Sequence, residues 1–200
     1  TATFETEVPP WLRHKDSGWL TAEYGMLPTS TNSRNRREAR QGKQSGRTIE
    51  IQRLIGRSLR TILDLKAFSS GQFIIDCDVI EADGGTRTAS ITGAYVALAL
   101  AVKKLLKKGI LTKSPIKDSV SAISCGIVDG KVLVDLDYTE DSRADVDANF
   151  VFTQKSGVSE VQISGEKSTF NLKTINQMLN LSLKSTEKIS LLQEKVIGKI

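Results

Sequence analysis

A glycine-rich turn with one arginine is the part of the sequence best suited to bind a phosphate group. Gly84 and Gly85 follow an apolar stretch and lead into Thr86 and Arg87. Two glycines let the backbone approach a ligand closely, and free N–H groups at a helix start attract an anion. The turn lacks the Gly-Lys-Ser/Thr ending of a nucleotide-binding loop, and its adjacent glycines do not fit a dinucleotide fingerprint. It is either a phosphate cradle or a strand-to-helix turn capped by threonine.

A second turn of the same kind lies at residues 45–48, where Gly46 and Arg47 also open a predicted helix. The planar guanidinium of arginine matches the oxygens of a phosphate group. If the two turns face each other, Arg47 and Arg87 can hold one phosphate between them.

Positive charge is concentrated between Thr31 and Arg60. This stretch contains nine Lys or Arg and two Glu, whereas the whole chain of 200 residues has a formal charge of +5. Arginines in a loop rich in Gly, Ser and Asn are candidates for binding nucleic-acid phosphates. The four in this loop are Arg34, Arg36, Arg37 and Arg40. The alternative interpretation is a solvated basic surface.

Negative charge is concentrated in one segment of thirteen residues near the middle of the second half of the chain. Its six carboxylates are Asp135, Asp137, Glu140, Asp141, Asp145 and Asp147. Carboxylates grouped at a strand end suit Mg²⁺ or Mn²⁺, which prefer oxygen ligands and keep several waters. One carboxylate could instead act as a general acid with a raised pKa. We expect residues 139–147 to be a loop, and a solvated acidic loop without chemistry is the third interpretation.

The composition excludes several classes of site. The chain has one histidine, His14, so metal sites built from several imidazoles are impossible. Its two cysteines, Cys77 and Cys125, can form neither a disulfide scaffold nor a four-cysteine zinc site, and a reducing cytoplasm is the predicted location. The longest unbroken apolar run, Ala94 to Val102, is far shorter than the ~20 residues of a membrane span, so no membrane partner is expected.

Hydrophobic periodicity predicts the elements that must position these residues. Apolar residues recur at helical spacing from Thr48 to Leu63, and Arg53, Arg57 and Arg60 lie on the opposite side of that helix. A strand is predicted over 72–80 and a buried helix from the glycine turn to about residue 106.

Two hairpins and a final helix are predicted in the rest of the chain. Residues 119–128 and 131–138 flank Asp129-Gly130, and residues 150–154 and 158–164 flank Gly157. A long helix begins at about Asn171. This order predicts an α+β fold with a mixed β-sheet covered by helices, in a single domain over residues 1–200.

The longest motifs resemble the ribonuclease PH family of exoribonucleases. The matching stretches occur in order at 18–28, 42–60, 76–99, 121–130 and 135–151. The resemblance implies a mixed sheet with helices built from βαβ halves, without the N-terminal strands that the family carries before the position matching Thr1. It also implies a homo-oligomer, a hexameric ring that is a trimer of dimers.

The resemblance further implies a reaction and its residues. Inorganic phosphate attacks the last phosphodiester of an RNA 3′ end, as in tRNA precursors, and a nucleoside diphosphate is released with Mg²⁺ or Mn²⁺ assisting. By residue match, the phosphate site is Arg47, Gly85, Thr86 and Arg87, the catalytic and metal-binding positions are Asp141 and Asp147, and the RNA contacts include Arg34 and Arg37. Asp145 matches the family pattern poorly.

Two other functions are compatible with these residues. One is a non-catalytic RNA-binding subunit of an RNA-degrading ring, because relatives in larger rings have lost their active-site residues. The other is a hydrolytic nuclease, which needs a water-activating metal pair and has no use for an arginine-lined cradle. Retention of the phosphate-site and acidic residues favours the phosphorolytic enzyme.

Overall fold

The computed structural model describes residues 1–69, 71–155 and 157–198. Within these ranges the chain forms an α+β fold with seven strands and four α-helices. In chain order they are β1 (Ala2–Glu5), β2 (Trp19–Met26), α1 (Gly46–Thr61), β3 (Gln72–Val79), α2 (Thr86–Lys107), β4 (Val120–Val128), β5 (Lys131–Val134), α3 (Tyr138–Arg143), β6 (Val146–Thr153), β7 (Gly157–Gly165) and α4 (Leu172–Ile197). The predicted fold class is confirmed.

The first sheet is mixed and has the strand order β1-β3-β2. Strand β2 pairs in parallel with β3, and β1 pairs antiparallel with the opposite edge of β3. Parallel neighbours need a crossover connection, and helix α1 supplies it. The unit β2-α1-β3 is therefore a βαβ unit, as the family resemblance implies.

The second sheet is antiparallel and has the strand order β5-β4-β6-β7. Both predicted hairpins belong to it. Asp129 and Gly130 join β4 to β5 with φ angles of 48° and 72°, the left-handed backbone that a tight hairpin turn needs. The described strands form two sheets: β4 pairs with β5 on one edge and β6 on the other, and no described strand of this sheet pairs with β1, β2 or β3.

Helix α2 connects the two sheets through the core. The main apolar cluster contains Phe73 of β3, Leu98 of α2 and Val120 of β4, all fully buried. On the other face of the second sheet, Phe150 of β6 packs with Met178 of α4. The two clusters lie on opposite faces of the second sheet because successive side chains of a strand point to opposite faces. Both sheets contribute to the main cluster, which supports the single-domain interpretation. That interpretation stays a prediction.

The core position of α2 accounts for its apolar composition. By length and composition this helix could cross a membrane, with a mean hydropathy of 1.5 in its most apolar window. However, Ile91, Leu98 and Val102 are completely buried against other elements of the fold. A helix in the core of a protein can be as long and as apolar as one that crosses a membrane.

The prediction of an acidic loop over 139–147 is wrong. The segment contains helix α3 and the first residues of β6. Asp137 is the N-cap of α3: its carboxylate accepts a hydrogen bond from the Glu140 backbone N–H at 2.8 Å, and Glu140 accepts one from the Asp137 N–H at 3.2 Å. This capping box explains two of the six carboxylates as helix-starting residues.

Candidate active site

The glycine turn begins helix α2, as the sequence predicts. Gly84 has a φ angle of 88°, and Gly85, the N-cap residue, has a φ angle of 56°. Both lie in the left-handed region that favours glycine. The Thr88 hydroxyl donates a hydrogen bond to the Gly85 carbonyl at 2.8 Å, which closes the first turn. Arg87 is the second residue of the helix, where backbone N–H groups lack partners within the helix.

The second sheet shapes this turn. The Ser124 hydroxyl of β4 accepts a hydrogen bond from the Leu136 N–H at 3.2 Å, and a Cβ on Gly85 would lie 3.3 Å from that hydroxyl. A Cβ on Gly84 would collide with the backbone carbonyl oxygen of Leu136. The turn is therefore held in its conformation by packing against the chain that precedes α3.

We expect Gly84→Ala to destabilise the fold by about 2 kcal/mol or more, because it combines a steric clash with an unfavourable φ angle. Urea unfolding measures this change. Gly93→Ala is the matched control within α2, since its added Cβ meets nothing within 4 Å. Alanine should stabilise the helix there by about 1 kcal/mol. A Gly84→Ala protein with the unfolding midpoint of the wild type would contradict the packing of this turn.

The second predicted turn caps helix α1. The Ser45 hydroxyl accepts a hydrogen bond from the Thr48 N–H at 3.1 Å, and the Thr48 hydroxyl donates to the Glu38 carboxylate at 2.8 Å. Hydrogen bonding from Ser45 lowers the pKa of Glu38, so the ionised carboxylate ties the arginine-rich loop to the helix. Arg47 is exposed in the first turn of α1 and lines a cleft of about 670 Å³ beside that loop.

The four loop arginines lie next to this cleft. All four are exposed, and with Gln41 they line a further cleft of about 500 Å³; they are Arg34, Arg36, Arg37 and Arg40. Arg36 and Arg37 also line the cleft that contains Arg47. The basic loop and the first turn of α1 therefore form one continuous positive surface.

Asp147 lies on β6, half-buried, on the sheet face that is turned toward α2. Its register partners are Gly126 of β4 and Ser164 of β7. Burial is the main cause of a raised pKa for Asp147, and the negative charge of Asp141 raises it further. The positive charges of Arg87 and Arg47 oppose this rise.

These electrostatic effects, to which Glu166 also contributes, indicate that the four charged residues of the predicted site lie in one region of the fold. Arg47 comes from α1, Arg87 from α2, Asp141 from α3 and Asp147 from β6. Two cations that suit phosphate thus lie near two carboxylates. That both arginines bind the same phosphate stays a prediction.

The metal prediction reduces to these two carboxylates. In the part of the chain that the structure describes, no group of three or more His, Cys, Asp or Glu side chains is arranged to hold a metal ion. Asp141 and Asp147 repel each other enough to affect the pKa of Asp147. Metal binding by this pair of carboxylates stays a prediction.

Three side chains around the phosphate turn are not predicted from the sequence. Arg87 Nη1 lies 3.4 Å from Glu50 Oε2 and donates to Gln162 Oε1 at 3.3 Å. Tyr24 and Thr86 share a hydrogen bond of 2.8 Å between their hydroxyls. The available sequence signals are weak: Glu50 is a lone acid on a basic helix, and Gln162 is one polar residue in a strand.

Known proteins resemble this chain over almost its whole length. The profile of the 3' exoribonuclease family, domain 1, matches residues 1–104, and the profile of domain 2 matches residues 118–185. Ribonuclease PH from Caulobacter vibrioides (strain NA1000 / CB15N) is 54% identical over 198 residues, covering 99% of this chain and 83% of the relative. Ribonuclease PH from Cereibacter sphaeroides (strain KD131) is also 54% identical, covering 99% of this chain and 84% of its own.

Solved structures share the fold at low sequence identity. A chain of an archaeal exosome core aligns with a TM-score of 0.69 and 20% identity, covering 98% of this chain and 74% of that one. A chain of the Archaeoglobus fulgidus exosome with RNA bound to the active site aligns with a TM-score of 0.75 and 21% identity, covering 97% and 76%. Together with the two family profiles and the 54% identity over almost its whole length, these matches show that the chain belongs to the ribonuclease PH family of 3′ exoribonucleases.

Proposed function

We propose that this chain is a phosphorolytic 3′→5′ exoribonuclease that trims the 3′ ends of tRNA precursors and releases nucleoside diphosphates. One observation carries the proposal: the glycine turn that starts α2, and with it Arg87, packs against Ser124 of β4, the strand that pairs with Asp147. The positive charges of Arg47 and Arg87 oppose the raised pKa of Asp147, in agreement with this placement. An anion-binding pair beside an acidic pair is what transfer of a nucleotide onto phosphate requires.

The arginine side of the site binds the attacking phosphate. Arg47 and Arg87 hold it through charge-assisted hydrogen bonds, and the backbone N–H groups from Gly85 to Arg87 add donors at the positive end of the α2 dipole. An oxygen of this phosphate attacks the phosphorus of the last phosphodiester. The bond from phosphorus to O3′ breaks, the new nucleoside diphosphate leaves, and the shortened RNA keeps O3′, which takes up a proton.

The acidic side of the site acts on the leaving O3′. Negative charge builds on that oxygen as the bond breaks, and it needs either a proton or a cation close by. Asp141 and Asp147 would hold Mg²⁺ or Mn²⁺, which supplies positive charge beside the leaving oxygen when bound. Alternatively, Asp147, whose pKa is raised by burial, donates the proton itself.

The arginine-rich loop binds the body of the tRNA rather than the scissile end. We expect the double substitution of Arg34 and Arg37 by Ala to weaken tRNA binding and to flatten its salt dependence by about one to two units of log K against log salt. With each cation that the protein loses, fewer counterions are released from the RNA on binding. Fluorescence anisotropy with labelled tRNA over a salt series measures both effects.

Two controls separate RNA binding by the loop from an effect on the reaction and from the general loss of a positive charge. Turnover of a short oligonucleotide should survive in the double variant, because Arg47 and Arg87, which hold the attacking phosphate, are unchanged. Arg13→Ala removes an exposed arginine that lines neither basic cleft, and its salt slope should stay that of the wild type. An unchanged slope in the double variant would contradict RNA binding by the loop.

We further propose that the chain works as a hexameric ring in the cytoplasm. Support for an oligomer comes from apolar side chains on α4 that are more than half exposed, including Leu191, Leu192 and Val196. Such groups mark interaction surfaces. Sedimentation velocity at micromolar concentration tests the ring directly.

Incubation of a 3′-extended tRNA with and without phosphate tests the activity. We expect phosphate-dependent shortening with nucleoside diphosphates as the product. Nucleoside monophosphates released without phosphate would indicate a hydrolytic nuclease instead. Binding of the tRNA without any shortening would favour the non-catalytic RNA-binding subunit of an RNA-degrading ring.

A further inference from the structure

Three side chains form a closed polar contact that holds the guanidinium of Arg87. Its Nη1 donates to Gln162 Oε1 at 3.3 Å and lies 3.4 Å from Glu50 Oε2. Gln162 Nε2 in turn donates to Glu50 Oε1 at 3.1 Å. Each member of the triangle is therefore restrained by the other two, and the three come from α1, α2 and β7.

Both protein contacts of the Arg87 guanidinium use the same nitrogen. Among the described residues, neither Nε nor Nη2 of Arg87 makes a hydrogen bond or an ion pair. These two atoms form the edge of a guanidinium that can donate hydrogen bonds to two oxygens of one anion. Arg57 shows that use in this fold: its Nε and Nη2 donate to the two Glu160 oxygens at 2.6 and 2.5 Å. In Arg87 the same edge is left for another anion.

The register of the second sheet determines which residue reaches Arg87. Gln162 lies opposite Asn149 of β6, and Ser164 lies opposite Asp147, so Gln162 shares a sheet face with Asp147. Glu160, two residues earlier on β7, lies on that face as well and contacts α1 through Arg57. Helix α1 and β7 are also joined by a hydrogen bond of 3.2 Å between the Thr61 and Ser159 hydroxyls. Of these contacts, only the one at Gln162 includes Arg87.

We propose that Glu50 and Gln162 are positioning residues that fix Arg87 for phosphate binding, an inference that rests on the proposed phosphorolytic function. An arginine side chain has many rotamers, and holding it in place before the ligand arrives lowers the entropy lost on binding. The charge of Glu50 also repels phosphate. That repulsion is screened because the Glu50 side chain is 41% exposed, whereas the Arg87 side chain is only 17% exposed. We expect positioning to outweigh this repulsion.

Phosphate kinetics of substituted proteins test the proposal. We expect Gln162→Ala and Glu50→Ala each to raise the KM for phosphate roughly ten-fold while changing kcat less. Glu50→Gln keeps an acceptor oxygen for Nη1, so its KM should stay within about three-fold of the wild type. An unchanged or lower KM in Gln162→Ala and Glu50→Ala would overturn the proposal.

Glu160→Ala is the matched control for a purely structural effect. It removes the ion pair between Arg57 of α1 and Glu160 of β7 and leaves the Arg87 triangle intact. We expect a lower melting temperature with the KM for phosphate unchanged. If Glu160→Ala raises that KM as much as Gln162→Ala does, the effect is a general loosening of the α1–β7 contact, and the positioning role is wrong.

A binding measurement without RNA separates this proposal from the proposed function. Calorimetric titration of the protein with inorganic phosphate gives a Kd that does not depend on turnover. If the wild type releases no diphosphate, phosphorolysis is contradicted, but a Kd raised in Gln162→Ala and not in Glu160→Ala still supports positioning. A wild type that binds no phosphate overturns both.

Discussion

Replacing Asp147 with asparagine should lower the rate of phosphorolysis by at least ~10²-fold and leave RNA affinity nearly unchanged. Asparagine keeps the size and much of the hydrogen bonding of the side chain but can neither hold a cation by charge nor donate a carboxylic acid proton. Single-turnover kinetics on a 3′-extended tRNA measure the rate, and anisotropy measures the affinity. Near-normal phosphorolysis would return Asp147 to a structural role.

The stability of the same variant provides an internal check. Burial raises the pKa of Asp147, so the folded protein holds this proton more tightly than the unfolded chain does. The contribution of such a group to the free energy of unfolding falls as the pH rises through its folded-state pKa, and at neutral pH the ionised side chain destabilises the fold. Asp147→Asn should therefore raise the melting temperature at pH 7, which excludes unfolding as the cause of lost activity.

Asp145→Asn is the matched control on the same segment. Asp145 lies two residues away and is not among the groups that affect the pKa of Asp147. Its backbone joins β4 and the end of β7, because its N–H donates to the Ile127 carbonyl and its carbonyl accepts from the Glu166 N–H. We expect Asp145→Asn to keep normal activity. A loss as large as that of Asp147→Asn would mean that net negative charge, rather than Asp147, supports the reaction.

Replacing Arg87 with alanine should raise the phosphate concentration needed for half-maximal rate by one to two orders of magnitude. The variant loses a charge-assisted contact of ~1.5–3 kcal/mol and the guanidinium edge that the Glu50–Gln162 contact leaves free. Initial rates of diphosphate release over a phosphate series measure the change. Unchanged phosphate dependence would contradict the assignment of Arg87.

Two further substitutions sharpen the interpretation of Arg87. Arg87→Lys keeps the positive charge but lacks the planar fork, so it should restore only part of the phosphate affinity. Arg53→Ala removes an exposed arginine from the same basic helix as Arg47, outside the cleft that Arg47 lines, and should leave the phosphate KM unchanged. Equal effects of Arg53→Ala and Arg87→Ala would indicate a diffuse positive field in place of a defined phosphate site.

Features that depend on neighbouring residues follow from the sequence alone. Gly84 and Gly85 predict the turn that opens α2, because a left-handed backbone at two successive positions favours glycine. Asp129-Gly130 predicts its hairpin for the same local reason. The concentration of arginine between Thr31 and Arg60 likewise predicts an exposed basic surface without knowledge of the fold.

Features that depend on distant pairing were decided only by the tertiary structure. The start of α3 is not such a feature, because the capping box of Asp137 and Glu140 is a local signal that the charge pattern of the segment obscures. The strands divide into two sheets because β4 pairs with β5 and β6 and not with a strand of the first sheet, a choice among strand partners that alternating residues do not encode.

The environment of the site is the clearest case of this dependence. Glu50 and Gln162 are 112 positions apart in the chain, yet they meet at Arg87 because β7 pairs with β6 in a register that turns Gln162 toward α1. A shift of one residue in that register would turn Gln162 to the opposite face of the sheet. The sequence by itself determined which residues could bind phosphate and RNA. The pKa of Asp147 and the partners of Arg87 were decided by long-range packing. The reason is that electrostatic and hydrogen-bonding energies depend on distances that only the folded chain defines.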